Sequence, residues 1–271
     1  MVNLINISGA LENFRSLIHQ AIIEGGEAGK HSIIRSSRPI QNIHDAVKSE
    51  LIKYGVEPER IIPLLGNTKP ELDLAGFFKK KAQDICVFPI NVEPNTEILT
   101  DGFLQGQADN YGRDYTERII SINARSQISS LAKNFDTMYE RTFAEALNFH
   151  IRCPKMVLGE VYMIAVPEYG SDEVKGNEIR FLDRSGTVEK YIKSFQGVNN
   201  RLDFTKEHYK YERVCLLIVD FQQTPIKIYN SDEELKSAGL LKLESEASIA
   251  DLTWESFVPA LLEIYRTRFG A

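Results

Sequence analysis

Asp84 stands at the entrance of the apolar run Ile85-Cys-Val-Phe-Pro-Ile90, directly after a basic segment that holds Lys79, Lys80 and Lys81. A carboxylate at a sheet edge can hold a divalent cation, and neighbouring ammonium groups draw in phosphate. A turn capped by Asp84 beside a solvated lysine loop fits the same residues. Further along, the ribbon Ile119-Ile-Ser-Ile-Asn-Ala-Arg-Ser-Gln127 alternates apolar and polar residues. Side chains alternate faces along a strand, so Asn123, Arg125 and Gln127 share one side. Buried without partners, each such polar group would cost about 1–3 kcal/mol. A site gripping phosphate and metal would supply those partners.

The elements that must position these residues follow from periodicity. Leu11 to Ile23 is expected as an amphipathic helix, with Leu11, Phe14, Leu17, Ile18, Ala21 and Ile22 at helical spacing. Gly25-Gly-Glu-Ala-Gly29 is expected to end it in a loop running through Lys30, His31, Arg35 and Arg38. A helix from Pro39 to Tyr54 follows, stopped by Gly55, then a turn at Gly66-Asn-Thr-Lys-Pro70. The polar stretch from Asn91 to Gly112 predicts an inserted hairpin or loop. Strands are expected at 85–90, 119–124, 156–166, 214–221 and 226–229, and helices at 135–149, 187–195 and 252–269. Pro167 to Arg184 is expected as a charged connection. Strands separated by helices predict an α/β fold with a mixed central sheet flanked by helices. One domain is expected: a helical part over 1–70, a core over 71–222 and a C-terminal helical addition over 223–271.

Composition bounds the function. The 271 residues carry 32 Lys and Arg against 38 Asp and Glu, a net charge of −6, which argues against a nonspecific polyanion binder. From Tyr111 to Lys155, however, seven basic residues face five acidic ones, whereas from Ser231 onward four face eight. A mildly basic middle leaves room for a local DNA cleft. The apolar runs are too short to span a bilayer, and the N-terminus lacks the basic start and cleavage site of a signal peptide. Cys86, Cys153 and Cys215 lie far apart, which predicts reduced thiols in a cytoplasmic protein and no structural zinc.

Taken together, several segments resemble the XhoI-like type II restriction endonucleases of the PD-(D/E)xK nuclease superfamily. They are Asp84-Ile-Cys-Val, Ile-Ser-Ile-Asn-Ala-Arg-Ser-Gln127, Asn134-Phe and Arg141-Thr-Phe-Ala-Glu-Ala146. The family shows a Trp-Asp-Leu strand entry, a Glu-Leu-Lys-Ser-Gln strand, and a helix with Asn-Asn-Phe-Asn-Asn-Arg followed by Glu-Glu-Ala. The likeness runs in element order over residues 24–222, with Ser126-Gln127 as its specific point. It implies a restriction-endonuclease-like core and Mg²⁺-dependent hydrolysis of duplex DNA at a specific site, with Mn²⁺ as a substitute ion. It also implies a homodimer reading a palindrome and a cognate methyltransferase as partner in the same system.

One departure bears on the chemistry. Where the family has Glu-x-Lys, this chain has Asn123-Ala124-Arg125. Asn offers an amide oxygen without charge, and Arg stays protonated, so it can neutralise a phosphate but cannot act as a base. In some relatives the second carboxylate has moved to the following helix, where Glu140, Glu145 and Asp136 are available and Lys133 could replace the missing amine. The expected site is Asp84 with Glu140 or Glu145 on the metal, Arg125 on the scissile phosphate, Gln127 orienting water and Asn123 beside them. Lys79, Lys80, Lys81, Lys133, Asn134 and Arg141 are expected to contact DNA. Solvated positions on the helix face would account for Glu140 and Glu145 equally well, and a structural ion pair would account for Arg125. Glu160-Val-Tyr162 is an outside alternative for the metal pair, otherwise an ordinary strand. Asn199, Arg201 and Lys206 to Arg213 fit a groove reader or a plain surface loop, and His150 and His208 fit structural roles. The rival reading is a nuclease-fold protein with a decayed active site, kept for DNA binding or as a subunit of a defence complex; a weaker one is an unrelated α/β binding protein.

Overall fold

The computed structural model describes residues 3–170, 176–182 and 186–270. Six strands form its central sheet in the order β1 (Ile61–Ile62), β4 (Ile85–Val87), β7 (Ile120–Gln127), β8 (Val157–Ala165), β9 (Arg213–Asp220) and β10 (Lys227–Tyr229). β7, β8 and β9 run parallel, and the outer pairings on both sides are antiparallel. The sheet is therefore mixed, as expected. Its two edge strands lie outside the 71–222 segment expected to supply the core. Two small antiparallel pairs stand apart, β2 (Leu72–Ala75) with β3 (Lys80–Gln83) and β5 (Glu97–Ile98) with β6 (Ala108–Asp109). The second pair is the hairpin expected between Asn91 and Gly112. The first puts Lys80 and Lys81 in a strand, where a solvated loop was one reading.

Alternation along the central strands divides the core into two layers. Ile120, Ile122 and Ala124 of β7 and Val157, Val161, Met163 and Ala165 of β8 face one layer. Helices α1 (Ile7–Arg35), α2 (Arg38–Lys53) and the C-terminal α7 (Trp254–Phe269) cover that face. Leu158, Tyr162 and Ile164 of β8 face the other layer, beneath α4 (Leu131–His150) and α5 (Val188–Gly197). The odd-numbered polar residues of β7 must then lie under α4. Two further helices, α3 (Arg113–Glu117) and α6 (Asp232–Ser237), are short.

The glycine run near residue 25 breaks the first helix without ending it. Gly26 adopts φ 55° and ψ −137°, and the helix then resumes to Arg35. A side chain on Gly29 would meet the Ala21 carbonyl oxygen at 2.1 Å, so the chain doubles back too closely for any larger residue. The expected basic loop through Lys30, His31 and Arg35 is thus helical. Of the expected 167–184 connection, residues 171–175 and 183–184 lie outside the described residues, and Tyr169 bridges Phe181 in the remainder. All three cysteines are buried and free. No described helix is long and apolar enough to cross a membrane.

Candidate functional site

Strand β7 delivers Ser121, Asn123 and Arg125 to the underside of α4, and the antiparallel neighbour β4 delivers Asp84 at its entrance. Helix α4 contributes Arg141, Ala144, Glu145 and Asn148, which recur at the three- and four-residue spacing of one helical face. These four helix residues, with Asp84, Asn123, Arg125, Lys79, Lys81 and Ala82, line one cavity of about 460 Å³.

Asn123 is the brace of this cavity. Its amide oxygen accepts from the Asp84 backbone N–H at 3.1 Å. Its amide nitrogen donates to Glu145 Oε1 at 2.7 Å and to Gln83 Oε1 at 2.9 Å, where the Ser121 hydroxyl also donates at 2.7 Å. One neutral side chain therefore ties the strand-borne acid to the helix-borne acid. That is a positioning role, whereas the expected role put Asn123 among the reacting groups. Asp84 keeps a side chain 32% exposed. Its Oδ2 accepts from the Ala124 backbone N–H at 3.0 Å and lies 3.7 Å from His44 Nε2.

Arg125 spans two buried carboxylates. Nη1 donates to Glu160 Oε1 at 2.8 Å, and Nη2 pairs closely with Glu145 Oε2. Lys81 pairs closely with Glu145 Oε1, so both oxygens of Glu145 carry a cation. Glu160 Oε2 is buried with no hydrogen-bond partner among the described residues. Burial pushes the Glu160 carboxyl up to about 8; Arg125 opposes this and the like charge of Glu145 adds to it. The Arg125 guanidinium is held more firmly protonated than usual: burial works against its charge and is outweighed by Glu160, Tyr211 and Glu145. The outside alternative Glu160 thus belongs to the central cluster, because parallel pairing sets it beside Asn123.

The structure separates the remaining candidates. Glu145 is buried in the cavity wall, whereas Glu140 is exposed and does not line it. Five residues of α-helix turn through about 140°, so the two acids cannot serve one site. Asp136 pairs with Lys190 at 3.1 Å on the exposed part of α4. Lys133 and Asn134 are exposed at the start of α4, roughly 16–18 Å along the axis from Glu145. Lys133 is therefore too far away for the place expected of it; Lys81 is the lysine that reaches Glu145. Lys80 turns away and donates to the Ala108 carbonyl at 2.8 Å. Lys79 and Arg141 line the cavity and make no ion pair among the described residues.

Gln127 is also absent from the cavity wall. The hydroxyls of Tyr162 and Tyr191 donate to its Oε1 at 2.9 and 3.0 Å, and its Nε2 donates to the Ser130 carbonyl at 2.9 Å. It fixes the start of α4, so it is not the expected holder of water. Arg201 is fully buried and pairs with Glu212 at 3.0 Å, which makes it neither a groove reader nor part of a surface loop. His150 is buried, with ring nitrogens 3.1 Å from the His208 carbonyl and 3.2 Å from the Met156 carbonyl, in keeping with a structural role.

Beyond Asp84 a second cavity of about 620 Å³ opens under α2, lined by Arg38, Gln41, His44, Asp45, Lys69 and Glu71 among others. His44 Nε2 is buried there without a hydrogen-bond partner among the described residues. Burial lowers its basicity, with Asp84 the leading opposing influence. Asp84 lies in the wall of both cavities. Sequence reading passed over His44, Gln83 and Asn148. His44 carries a weak signal, since it follows Ile43 at the border of the buried stripe Ile43, Ala46, Val47 and Leu51.

Among the described residues, no group of three or more His, Cys, Asp and Glu is arranged to hold a metal ion. Mg²⁺ commonly takes one or two protein carboxylates plus water and substrate phosphate, and Asp84 with Glu145 offers that donor set. Glu145 would have to give up one of its cationic partners to take part. Comparison of the chain with protein-family models, curated proteins and solved structures returned no match, so the chemistry of the site rests on this geometry.

Proposed function

We propose that this chain is a metal-dependent endodeoxyribonuclease with a restriction-endonuclease-like core, acting on duplex DNA as type II restriction enzymes do. The observation that carries the reading is the convergence of Asp84, Glu145, Lys81 and Arg125 on one 460 Å³ cavity, with unpaired Lys79 and Arg141 in its wall. Asp84 and Glu145 would hold Mg²⁺, which when bound lowers the pKa of a water and offsets charge on the reacting phosphate. Arg125 and Lys81 bring fixed positive charge to the place where a phosphodiester gains negative charge on attack. Lys79 and Arg141 bind the flanking backbone, and Asn123 keeps the two acids in register.

The test is incubation of the protein with Mg²⁺ or Mn²⁺ and unmethylated duplex DNA. Discrete fragments are expected, and Asp84→Ala should reduce their rate of formation by about a thousandfold or more. Absence of cutting by the intact protein would overturn the enzymatic reading. A second reading draws on the Arg125 bridge: a guanidinium shared by Glu145 and Glu160 can substitute for a cation and leave a site that binds DNA without cutting it. Retarded but uncut DNA, unaffected by Asp84→Ala, would select it.

A further inference from the structure

Next to the candidate cavity the chain leaves aromatic surface in water. Phe103 is 76% exposed, Phe78 41% and Ile98 60%, all on the β2–β3 turn or the β5–β6 hairpin. Phe77, Phe78 and Phe103 form one cluster with ring centroids 5.2, 5.6 and 6.3 Å apart. Scattered apolar residues on a surface need no explanation, but a contiguous aromatic group beside a polar cleft marks an interaction surface.

The cluster is held rigidly. Asn148 of α4 accepts from the backbone N–H of Phe78 at 2.8 Å and of Lys79 at 3.0 Å, and its amide donates to the Lys79 carbonyl at 3.1 Å. Its own carbonyl accepts from the Phe77 N–H at 2.7 Å. Phe103 N–H donates to the Phe77 carbonyl at 2.9 Å. Gly102, at φ +70°, passes so close that a Cβ would lie 2.5 Å from that carbonyl. Arg152 fastens the hairpin from below, donating to the Ala75 carbonyl at 3.0 Å and to Asp109 at 2.6 Å. The backbone that carries the rings is therefore fixed before binding, which lowers the ordering cost of an encounter.

Charge selects the occupant. Phe78 is followed directly by Lys79, which lines the cavity with Arg141, and neither cation has an ion-pair partner among the described residues. Exposed aromatic faces flanked by unpaired cations match a nucleic-acid strand, whose bases stack while its phosphates meet the charges. We propose that Phe78 and Phe103 form a stacking platform for an unstacked nucleobase, adjoining the strand whose phosphate lies at Lys79 and Arg141. The proposal rests on the nucleic-acid reading given above and adds the form of the substrate: a strand locally opened at the cleft mouth.

The experiment uses duplex and single-stranded oligonucleotides carrying 2-aminopurine, with the full chain in the absence of divalent metal. Binding should change the 2-aminopurine emission. Phe78→Ala combined with Phe103→Ala should remove that change and weaken single-strand affinity about tenfold or more, the scale of one lost base-stacking contact. Phe103→Trp should retain binding, with quenched emission from the introduced indole; the one native tryptophan, Trp254, is buried. Equal emission change and affinity in the double alanine variant, with loss only in Lys79→Ala and Arg141→Ala, would overturn the platform and leave the nucleic-acid reading intact. No binding of either oligonucleotide by the intact chain would overturn both. A double alanine variant whose only change is a smaller sedimentation coefficient would instead assign the patch to contact between copies of this chain.

Discussion

Glu212, at the entrance of β9, and Glu160, within β8, are both fully buried beside arginines. Glu212 is satisfied on every side. Its Oε1 accepts from Arg201 at 3.0 Å and Arg268 at 2.8 Å, and its Oε2 accepts from the Leu158 backbone N–H at 2.7 Å with His150 at 3.3 Å. Burial alone would raise its carboxyl, but His150, Arg268 and Arg201 outweigh burial and hold it down at about 2. Glu160 shares one arginine with Glu145, has an oxygen without a hydrogen-bond partner among the described residues, and is pushed up to about 8. A buried polar network with every member satisfied stiffens a fold, whereas one with a deficit is a candidate functional site. The first cluster ties the last helix to the sheet through Arg268; the second lies at the cleft.

The largest expected effect tests the satisfied cluster. Glu212→Gln should cost about 3–5 kcal/mol of unfolding free energy by denaturant titration, because two buried guanidinium groups lose their counter-charge. A loss below 1 kcal/mol would erase the distinction between the clusters. Next in size is the acid limb. Glu212 is depressed from 4.5 to about 2, so its contribution is complete above pH 4.5 and lost as pH falls toward 2. That loss should amount to about 3 kcal/mol in wild type, and Glu212→Gln should lack it.

A smaller effect addresses the unsatisfied cluster. Arg125→Met frees Glu145 of one cation, so Mn²⁺ binding followed by calorimetry should tighten by about tenfold while DNA cleavage is lost. Unchanged metal affinity would show that Glu145 takes no part in holding the ion. The smallest effect lies on the alkaline side. Glu160 is raised from 4.5 to about 8, so its contribution is complete below pH 4.5 and lost as pH climbs through 8. Wild type should lose about 1 kcal/mol between pH 7 and 9, and Glu160→Gln should flatten that slope. A slope surviving in the variant would assign the alkaline loss to another group.

Much of this site could be read from the chain because strand alternation and helical spacing are local properties. The period of two alone puts Asn123 and Arg125 on one face. The choice between Glu140 and Glu145 was also open to reading. The stripe Phe135, Thr142, Ala146 and Phe149 sets the phase of α4, and Glu145 borders it while Glu140 lies on the far side. The brace made by Asn123, the saturation of Gln127 and the clamp by Asn148 depend on partners 22 to 70 positions away. Nothing local in the sequence encodes those pairings. The doubled-back helix after Gly26 was hidden for another reason: glycine normally ends helices, and here it redirects one.

The parallel alignment of β7 and β8, with Asn123 opposite Glu160 and Arg125 opposite Tyr162, limits how this protein can diversify. Losing or gaining one residue within either ribbon would not shift the cleft by a few ångströms. It would turn the charged row into the oily layer under α1 and α2 and bring isoleucines up in its place. Descendants of this sequence can retune the cleft by exchanging residues at alternate positions, while length changes are confined to the connections outside the sheet.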